Sequence, residues 1–458
     1  MPDFDFDLVV IGAGPGGYET ALAAATEMRV ALVERDEVGG TCLNRGCIPT
    51  KSLLYTAELM QAIRQAGTFG IVHGEPACDF AAVCARKEHV VRQLRDGIML
   101  RMKQRKVTVL KGTGTILDAH TVRVRGAEET LLQTRRILIA TGSRPALPPI
   151  PGIGCPHVET SDTLLEKSDG IYPRLLIIGG GVIGVEFASI YAALGSAVTI
   201  VEALPRLVGN MDREISQSLK MLLKKRGIQI YCDMRVREIR EEDGELRCLC
   251  LEGEKGLTLA ADGILVCVGR RPFTGELFED GFHVTEDHGR ILVDERCRTN
   301  VPGIWAIGDV TGGLMLAHEA TAQGRCALDD MLGRTFTAPL IIPACIYTNP
   351  EIASVGLTLE KARERGLQAD SHKYPMSANG KSLLSEQDRG FIKVVYEKES
   401  HRLLGAHMMC ARASDLISEM TQALVKGSTL EELAAVIRPH PTFSEGITEA
   451  LTISQALN

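Results

Sequence analysis

Positive charge is in deficit along this chain of 458 residues: 51 lysines and arginines stand against 58 aspartates and glutamates, a formal net charge of −7. No basic patch advertises nucleic acid or an anionic membrane surface. A cationic leader is also lacking, because Asp3, Asp5 and Asp7 lead straight into Leu8-Val9-Val10-Ile11, which is not the pattern of a signal or transit peptide. The 13 cysteines contain no quartet with zinc-ligand spacing, so no metal site is expected. Their odd number and scatter, without a secretory signal, argue against a disulfide framework and for a reducing, cytoplasmic setting. Cys248 and Cys250 read as packing or surface residues. Low-complexity tracts and short-period repeats are absent as well. From Leu175 to Val201 the only charge is Glu186, a run long enough to span a bilayer. Gly179-Gly180-Gly181 and Gly195-Ser196 interrupt it, however, which favours strand, turn, helix, turn and strand over a membrane helix.

What is present is a soluble globular composition, 45% hydrophobic and 24% charged, long enough for roughly three or four domains. Strand Asp7–Ile11, a glycine turn, a helix from about Pro15 and strand Val30–Glu34 make one βαβ unit. The same grammar returns at Leu175–Ile178, Val182–Leu194 and Ala197–Glu202. The first turn reads Gly12-x-Gly14-x-x-Gly17 with Glu34 ending the next strand; the second reads Gly179-x-Gly181-x-x-Gly184 with Glu202. In such a turn the first glycine bends the chain, the second admits a pyrophosphate to the backbone, and the third lets helix pack on strand. The helix N-terminus then favours the anion, and the acid accepts ribose hydroxyls. A carboxylate at Glu202 repels a 2′-phosphate, so NAD is expected there, although Arg206 lies close. Short strands such as Val107–Leu110, Thr121–Arg125 and Ile137–Ala140 lie between the two units. Around Ala338–Pro343 the pattern shifts. Strands Phe391–Tyr396 and Leu403–Met409 with helices near Ser414–Lys426 and Leu430–Val436 suggest a separate C-terminal α+β unit.

Two further segments carry chemistry. Gly39-Gly40-Thr41-Cys42-Leu43-Asn44-Arg45-Gly46-Cys47-Ile48-Pro49-Thr50-Lys51 places two cysteines five apart on one side of a helix. A bridge between them needs a distorted turn, for which Gly46 supplies the freedom. Lys51 and Arg45 would favour thiolate over thiol. On these residues alone, two free cysteines in a helix remain a competing reading. Near the C-terminus, Arg438-Pro439-His440-Pro441-Thr442-Phe443-Ser444-Glu445 offers an imidazole, a side chain whose neutral form suits the removal of a thiol proton at pH 7. A turn around Pro441 can return Glu445 to hold its tautomer. A histidine before proline in an ordinary loop is the alternative.

The cysteine segment resembles the redox motif of the pyridine nucleotide–disulfide oxidoreductases, particularly the dihydrolipoamide dehydrogenases. Ala140-Thr141-Gly142, Val268-Gly269-Arg270-Arg271-Pro272 and the stretch Thr299 to Asp309 are similar to signatures of these flavoproteins. The resemblance runs from Leu8 to about Ile447. It implies an α/β protein with two Rossmann-like nucleotide-binding domains and a C-terminal α+β dimerisation domain. The expected divisions are an FAD domain over 1–143, an NAD domain over 144–270, a segment 271–339 completing the FAD domain, and a dimerisation domain over 340–458. FAD would be held by Gly12, Gly14, Gly17, Glu34, Thr41, Thr141, Gly142, Lys51 and Asp309, the last on the ribityl chain. NAD would lie on Gly179, Gly181, Gly184, Glu202, Gly269 and Arg270. Cys42 and Cys47 would form the redox disulfide, Cys42 exchanging with substrate and Cys47 forming the flavin-facing thiolate. Lys51 would pair with Glu186. His440 and Glu445 would serve the partner chain's site in a homodimer, and the peptide His440–Pro441 is cis in the family.

The implied reaction is oxidation of dihydrolipoamide by NAD, with lipoamide delivered on a separate protein. The partners would be the lipoylated protein and acyltransferase core of a 2-oxo acid dehydrogenase complex, or the glycine cleavage H protein. Two departures stand out: many relatives have valine where Arg45 is and histidine where Arg438 is, which bears on local pKa tuning. Glutathione- and trypanothione-type reductases prefer NADPH, against Glu202. A mercuric reductase would carry a vicinal cysteine pair in a C-terminal tail that here reads Leu451-Thr452-Ile453-Ser454-Gln455-Ala456-Leu457-Asn458. A flavoprotein kept only as a binding component would not need the intact set of Cys42, Cys47, Lys51, Glu186, His440 and Glu445.

Overall fold

The computed structural model describes residues 4–253, 255–335 and 340–452. Asp3, the expected pattern shift at Ala338 and the tail Ile453–Asn458 lie outside the described residues. Among the described residues, three five-stranded sheets organise the chain. In the first, the order is Ile304–Ala306, Ile137–Ile139, Leu8–Ile11, Val30–Glu34 and Thr108–Lys111, and all pairings are parallel. Leu8, Val9, Val10 and Ile11 are all buried, as expected of a parallel strand covered on both faces. The strand Ile304–Ala306 comes from far along the chain, so residues near 300 complete the sheet that residue 8 begins.

The second sheet repeats the design with Gln229–Tyr231, Ala197–Val201, Arg174–Ile178, Gly263–Val266 and Val158–Thr160, again all parallel. The apolar run at 175–201 resolves as strand Arg174–Ile178, helix Val182–Leu194 and strand Ala197–Val201. Among the described residues no helix is long and apolar enough to cross a membrane. Cys248 and Cys250 point to the same side of strand Glu245–Glu252 and are fully buried with their sulfurs 3.7 Å apart, so they are packing residues and not surface ones.

The third sheet is antiparallel: Ala344–Ile346, Glu351–Gly356, Leu403–Cys410, Phe391–Glu397 and Ala369–Pro375. Helix Ala413–Lys426 packs Ile417, Met420 and Ala423 against it. This is the α+β unit expected from the alternation of strand and helix patterns, with helix Leu430–Ala434 shorter than the pattern suggested and a further helix, Glu445–Leu451, after it.

Candidate active site

Both glycine turns are built as their sequences require. Gly12 and Gly179 have φ of +101° and +114°, and a Cβ on either would fall 2.3 Å from the Ala140 carbonyl oxygen or 2.5 Å from that of Cys267. Only glycine permits that bend and that approach. Gly184 plays the packing part alone: a Cβ there would meet the Gly179 oxygen at 2.0 Å, and it does not line the cavity described below. Helices Pro15–Ala24 and Val182–Leu194 start at Gly14 and Gly181 without any side-chain cap, and a Cβ on either glycine would meet nothing within 4 Å. Uncapped helix N–H groups facing open space suit a pyrophosphate. The acids are fixed beside them. Glu34 accepts from the Ala13 N–H at 2.7 Å, and Glu202 accepts from those of Gly180 at 2.5 Å and Leu204 at 2.7 Å. Burial raises the Glu34 carboxyl above its usual range, against these hydrogen bonds.

The two turns open into one cavity of about 1870 Å³, well beyond the ~300–1,000 Å³ of an ordinary small-molecule pocket. Thr41, Cys42, Cys47, Lys51, Thr141, Gly142, Glu186, Gly269, Arg270 and Asp309 all line it. The residues present therefore fit two dinucleotides, one on each turn, with the cysteines between. Asp309 is tied in from the far end of the first sheet: the Ser143 hydroxyl donates to Asp309 and accepts from Arg270 Nε at 2.7 Å. Ser143 carried no motif signal of its own beyond its place after Ala140-Thr141-Gly142.

The cysteine segment is two helices, Gly40–Arg45 and Cys47–Gln65, broken at Gly46. A Cβ on Gly46 would lie 2.8 Å from the Thr41 oxygen, so the break lets the second helix start hard against the first. Asn44 locks the first helix in place, its amide donating to the carbonyls of Glu37, Val38 and Gly40 at 3.2, 3.0 and 3.0 Å. Cys42 and Cys47 are free thiols here, partly buried, and they behave oppositely. The hydrogen bond from Cys42, aided by Lys51 and opposed by burial, lowers Cys47 to about 7, while the same bond and burial push Cys42 well up. In the dithiol state the proton stays on Cys42 and Cys47 is the thiolate. Arg45 does not join in as expected. Its guanidinium pairs with Asp36, so Lys51 is the cation acting on Cys47.

Lys51 is positioned by a residue 135 positions away. Its Nζ donates to both oxygens of Glu186, at 2.9 and 3.1 Å. Glu186 is 3% exposed and also accepts from the Tyr347 N–H at 2.9 Å, while Lys51 lies 4.5 Å above the Tyr347 ring. A buried carboxylate that accepts three such hydrogen bonds from two donors keeps the ammonium pointed at the thiol pair. Tyr347 was legible only as the start of the C-terminal unit.

His440 and Glu445 meet, with Nδ1 and Oε1 2.8 Å apart. Glu445 Oε2 accepts from the Thr442 N–H at 2.8 Å. That bond, then His440, holds the carboxyl below its usual range, and the peptide between His440 and Pro441 is cis. The dyad is not brought to the dithiol within one chain: neither residue lines the cavity, and the His440 side chain is 80% exposed. Arg438 just before it is buried and holds the loop, donating to Thr448 Oγ1 at 2.7 Å and pairing with Glu419. No cluster of metal-ligating side chains occurs among the described residues.

Residues 6–324 match the family model described as pyridine nucleotide-disulphide oxidoreductase, and residues 342–451 match the dimerisation domain of the same family. The chain belongs to this family. Relatives named dihydrolipoyl dehydrogenase share its full extent. The one from Chlamydia pneumoniae is 39% identical over 96% of this chain and 95% of its own length. That of Bacillus subtilis (strain 168) is 36% identical over 97% of each. Among solved structures, the HOCl-induced flavoprotein disulfide reductase RclA from Escherichia coli superposes with a TM-score of 0.88 at 30% identity, covering 98% of this chain and all of that one. LpdA from Mycobacterium tuberculosis superposes at 0.89 with 26% identity, over 97% and 98%. As a pyridine nucleotide–disulfide oxidoreductase, the protein is an enzyme that works with FAD and NAD(P), and it carries the family's dimerisation domain.

Proposed function

We propose that this oxidoreductase oxidises dihydrolipoamide, carried on a separate protein, and delivers the electrons to NAD. The observation that carries the reading is the divided pair Cys42 and Cys47 facing Lys51–Glu186, together with an exposed His440–Glu445 dyad, in a chain similar end to end to dihydrolipoyl dehydrogenases. The service is that of the third component of 2-oxo acid dehydrogenase complexes or of the glycine cleavage system. Each site of the homodimer takes His440 from the other chain, because the dyad is exposed and absent from its own cavity.

Neutral His440 removes a proton from one substrate thiol, and Glu445 stabilises the imidazolium. The substrate thiolate attacks Cys42 of the Cys42–Cys47 disulfide, forming a mixed disulfide and expelling Cys47 as the stabilised thiolate. His440 gives the first proton to solvent and takes that of the second substrate thiol. The resulting thiolate attacks the substrate sulfur of the mixed disulfide and closes the cyclic disulfide, and Cys42 leaves and takes this second proton from His440. Gly12, Gly14, Glu34 and Asp309 would hold FAD, which would supply two-electron transfer between the thiols and a nicotinamide. Glu202, fixed by two backbone N–H groups, supports NAD over NADP because a 2′-phosphate would meet its charge. The likeness to RclA at 30% identity favours a second reading, the reduction of another disulfide by the same machinery.

The test is NAD reduction by dihydrolipoamide beside NADPH oxidation by glutathione disulfide. Turnover of about 10–10³ s⁻¹ with NAD, at least about tenfold slower with NADP, and no glutathione activity is expected. A silent lipoamide assay, with NADH still bleaching the flavin, would keep the fold and transfer the search to another disulfide.

A further inference from the structure

The C-terminal unit reaches the second nucleotide fold through an ionic cluster whose inner pair, Lys393 and Asp212, is buried. Lys393 lies within strand Phe391–Glu397, opposite Lys373 on one neighbouring strand and His407 on the other. Lys393 is 4% exposed, and its Nζ donates to Asp212 Oδ2 and to Glu214 Oε1, each at 2.9 Å. Lys373 completes the cluster by pairing with the other oxygen of Glu214. Two ammonium groups thus balance two carboxylates. His407 adds no charge, since burial holds it below the usual histidine range and its nitrogens lie against Ser354 Oγ and the Leu357 oxygen at 3.2 and 3.0 Å.

Asp212 is wholly buried and has a second task. Its Oδ1 caps helix Arg213–Lys225 by accepting from the Glu214 N–H at 2.9 Å. The ten residues before that cap run from Glu202, the ribose-binding acid, along the wall of the large cavity through Arg206, Val208, Gly209 and Met211. This segment is short of regular structure. Its middle is fixed by the Val208 N–H on the Gly180 oxygen at 2.8 Å and by the Ser216 hydroxyl on the Leu207 oxygen at 2.6 Å, and its far end, Asn210 and Met211, runs straight into the Asp212 cap. A lysine ammonium enters a nearly dry site only when carboxylates are already aimed at it, and these carboxylates belong to the other unit.

We infer that Lys393 is a positioning residue for nicotinamide-nucleotide binding, holding the cavity-lining segment 203–211 in register from the C-terminal unit through Asp212. The inference rests on the second glycine turn being the nicotinamide site, not on lipoamide being the substrate. Without the ammonium, Asp212 is left buried and uncompensated. It turns toward water or takes a proton, and Asn210 and Met211, which line the cavity directly before it, shift with it. The dithiol side, built on Cys42, Cys47 and Lys51, has no residue in the cluster.

The experiment uses purified FAD-loaded Lys393→Met and Lys393→Arg. NADH affinity is read from how the rate of flavin reduction saturates with NADH concentration in rapid mixing, and flavin reduction by dithiothreitol is followed in the same way. Lys393→Met should weaken NADH on the order of tenfold, the scale of a small misplacement in a binding wall, with dithiothreitol reduction within about twofold of the parent. Lys393→Arg, which keeps the charge, should recover most of the affinity. Unchanged NADH affinity in Lys393→Met, or an equal fall in both half-reactions, overturns the inference. Should Lys393→Met not fold, Asp212→Asn keeps a competent helix cap while removing the charge that Lys393 meets, and the same two outcomes decide. Because neither measurement uses dihydrolipoamide, inactivity toward it would leave this test standing.

Discussion

Cys42→Ser is expected to lower dihydrolipoamide-dependent NAD reduction by at least about 10³-fold while leaving the flavin bound. A hydroxyl cannot form the disulfide or the mixed disulfide, and at neutral pH it offers almost no anion to exchange. The serine still donates a hydrogen bond to Cys47 much as the Cys42 thiol does, so loss of activity cannot be ascribed to a disturbed neighbour. Flavin content and kcat on the same preparation check this. Normal turnover from Cys42→Ser would refute the assignment of the exchange thiol.

Substitution at the dyad should cost nearly as much on one half-reaction only. His440→Gln removes the base and is expected to lower kcat/KM for dihydrolipoamide about 10²–10⁴-fold. Glu445→Gln should lower it about 10²-fold. An amide can accept from Nδ1 but carries no charge for the imidazolium, and its N–H₂ would oppose the Thr442 N–H now bound at 2.8 Å. Reduction of the flavin by NADH should keep its rate in both variants, since neither residue lines the nucleotide cavity. Equal losses in the NADH half-reaction would show that the dyad holds structure and does not serve the thiols.

Most of the fold was legible because its decisive signals are local. Gly12 with Gly17, and Gly179 with Gly184, declare their turns within six residues, and the strand and helix that follow each turn bury accordingly. The break at Gly46 was legible for the same reason, since two cysteines five apart cannot meet across an unbroken helix. His440 and Glu445 needed only one turn to come together.

What the sequence hid lies in contacts between distant segments. The Tyr347 N–H on Glu186 and the Ser143 bridge to Asp309 each span more than 150 positions. Backbone donors leave no mark in a motif, and a serine that bridges two charged groups looks like any other serine. Lys393 reads on its own as a charged residue on an apolar strand, and only the packing of the second fold on the third sheet supplies Asp212. Arg45 misled for a related reason. Nearness along the chain suggested help for the thiols, but the side chain found Asp36 instead.

The division of labour between the two thiols is tested most directly by the long-wavelength absorbance that a thiolate gives beside an oxidised flavin, recorded against pH in FAD-loaded Cys42→Ser and Cys47→Ser. Because Cys47 is lowered to about 7, its thiolate persists above that pH and is lost as pH falls through it. Cys42→Ser should therefore show the band at pH 8 and lose it as the solution is brought below about pH 7, and Cys47→Ser should show no band at any pH. A band that survives in Cys47→Ser and vanishes in Cys42→Ser would reverse the two roles and contradict the mechanism.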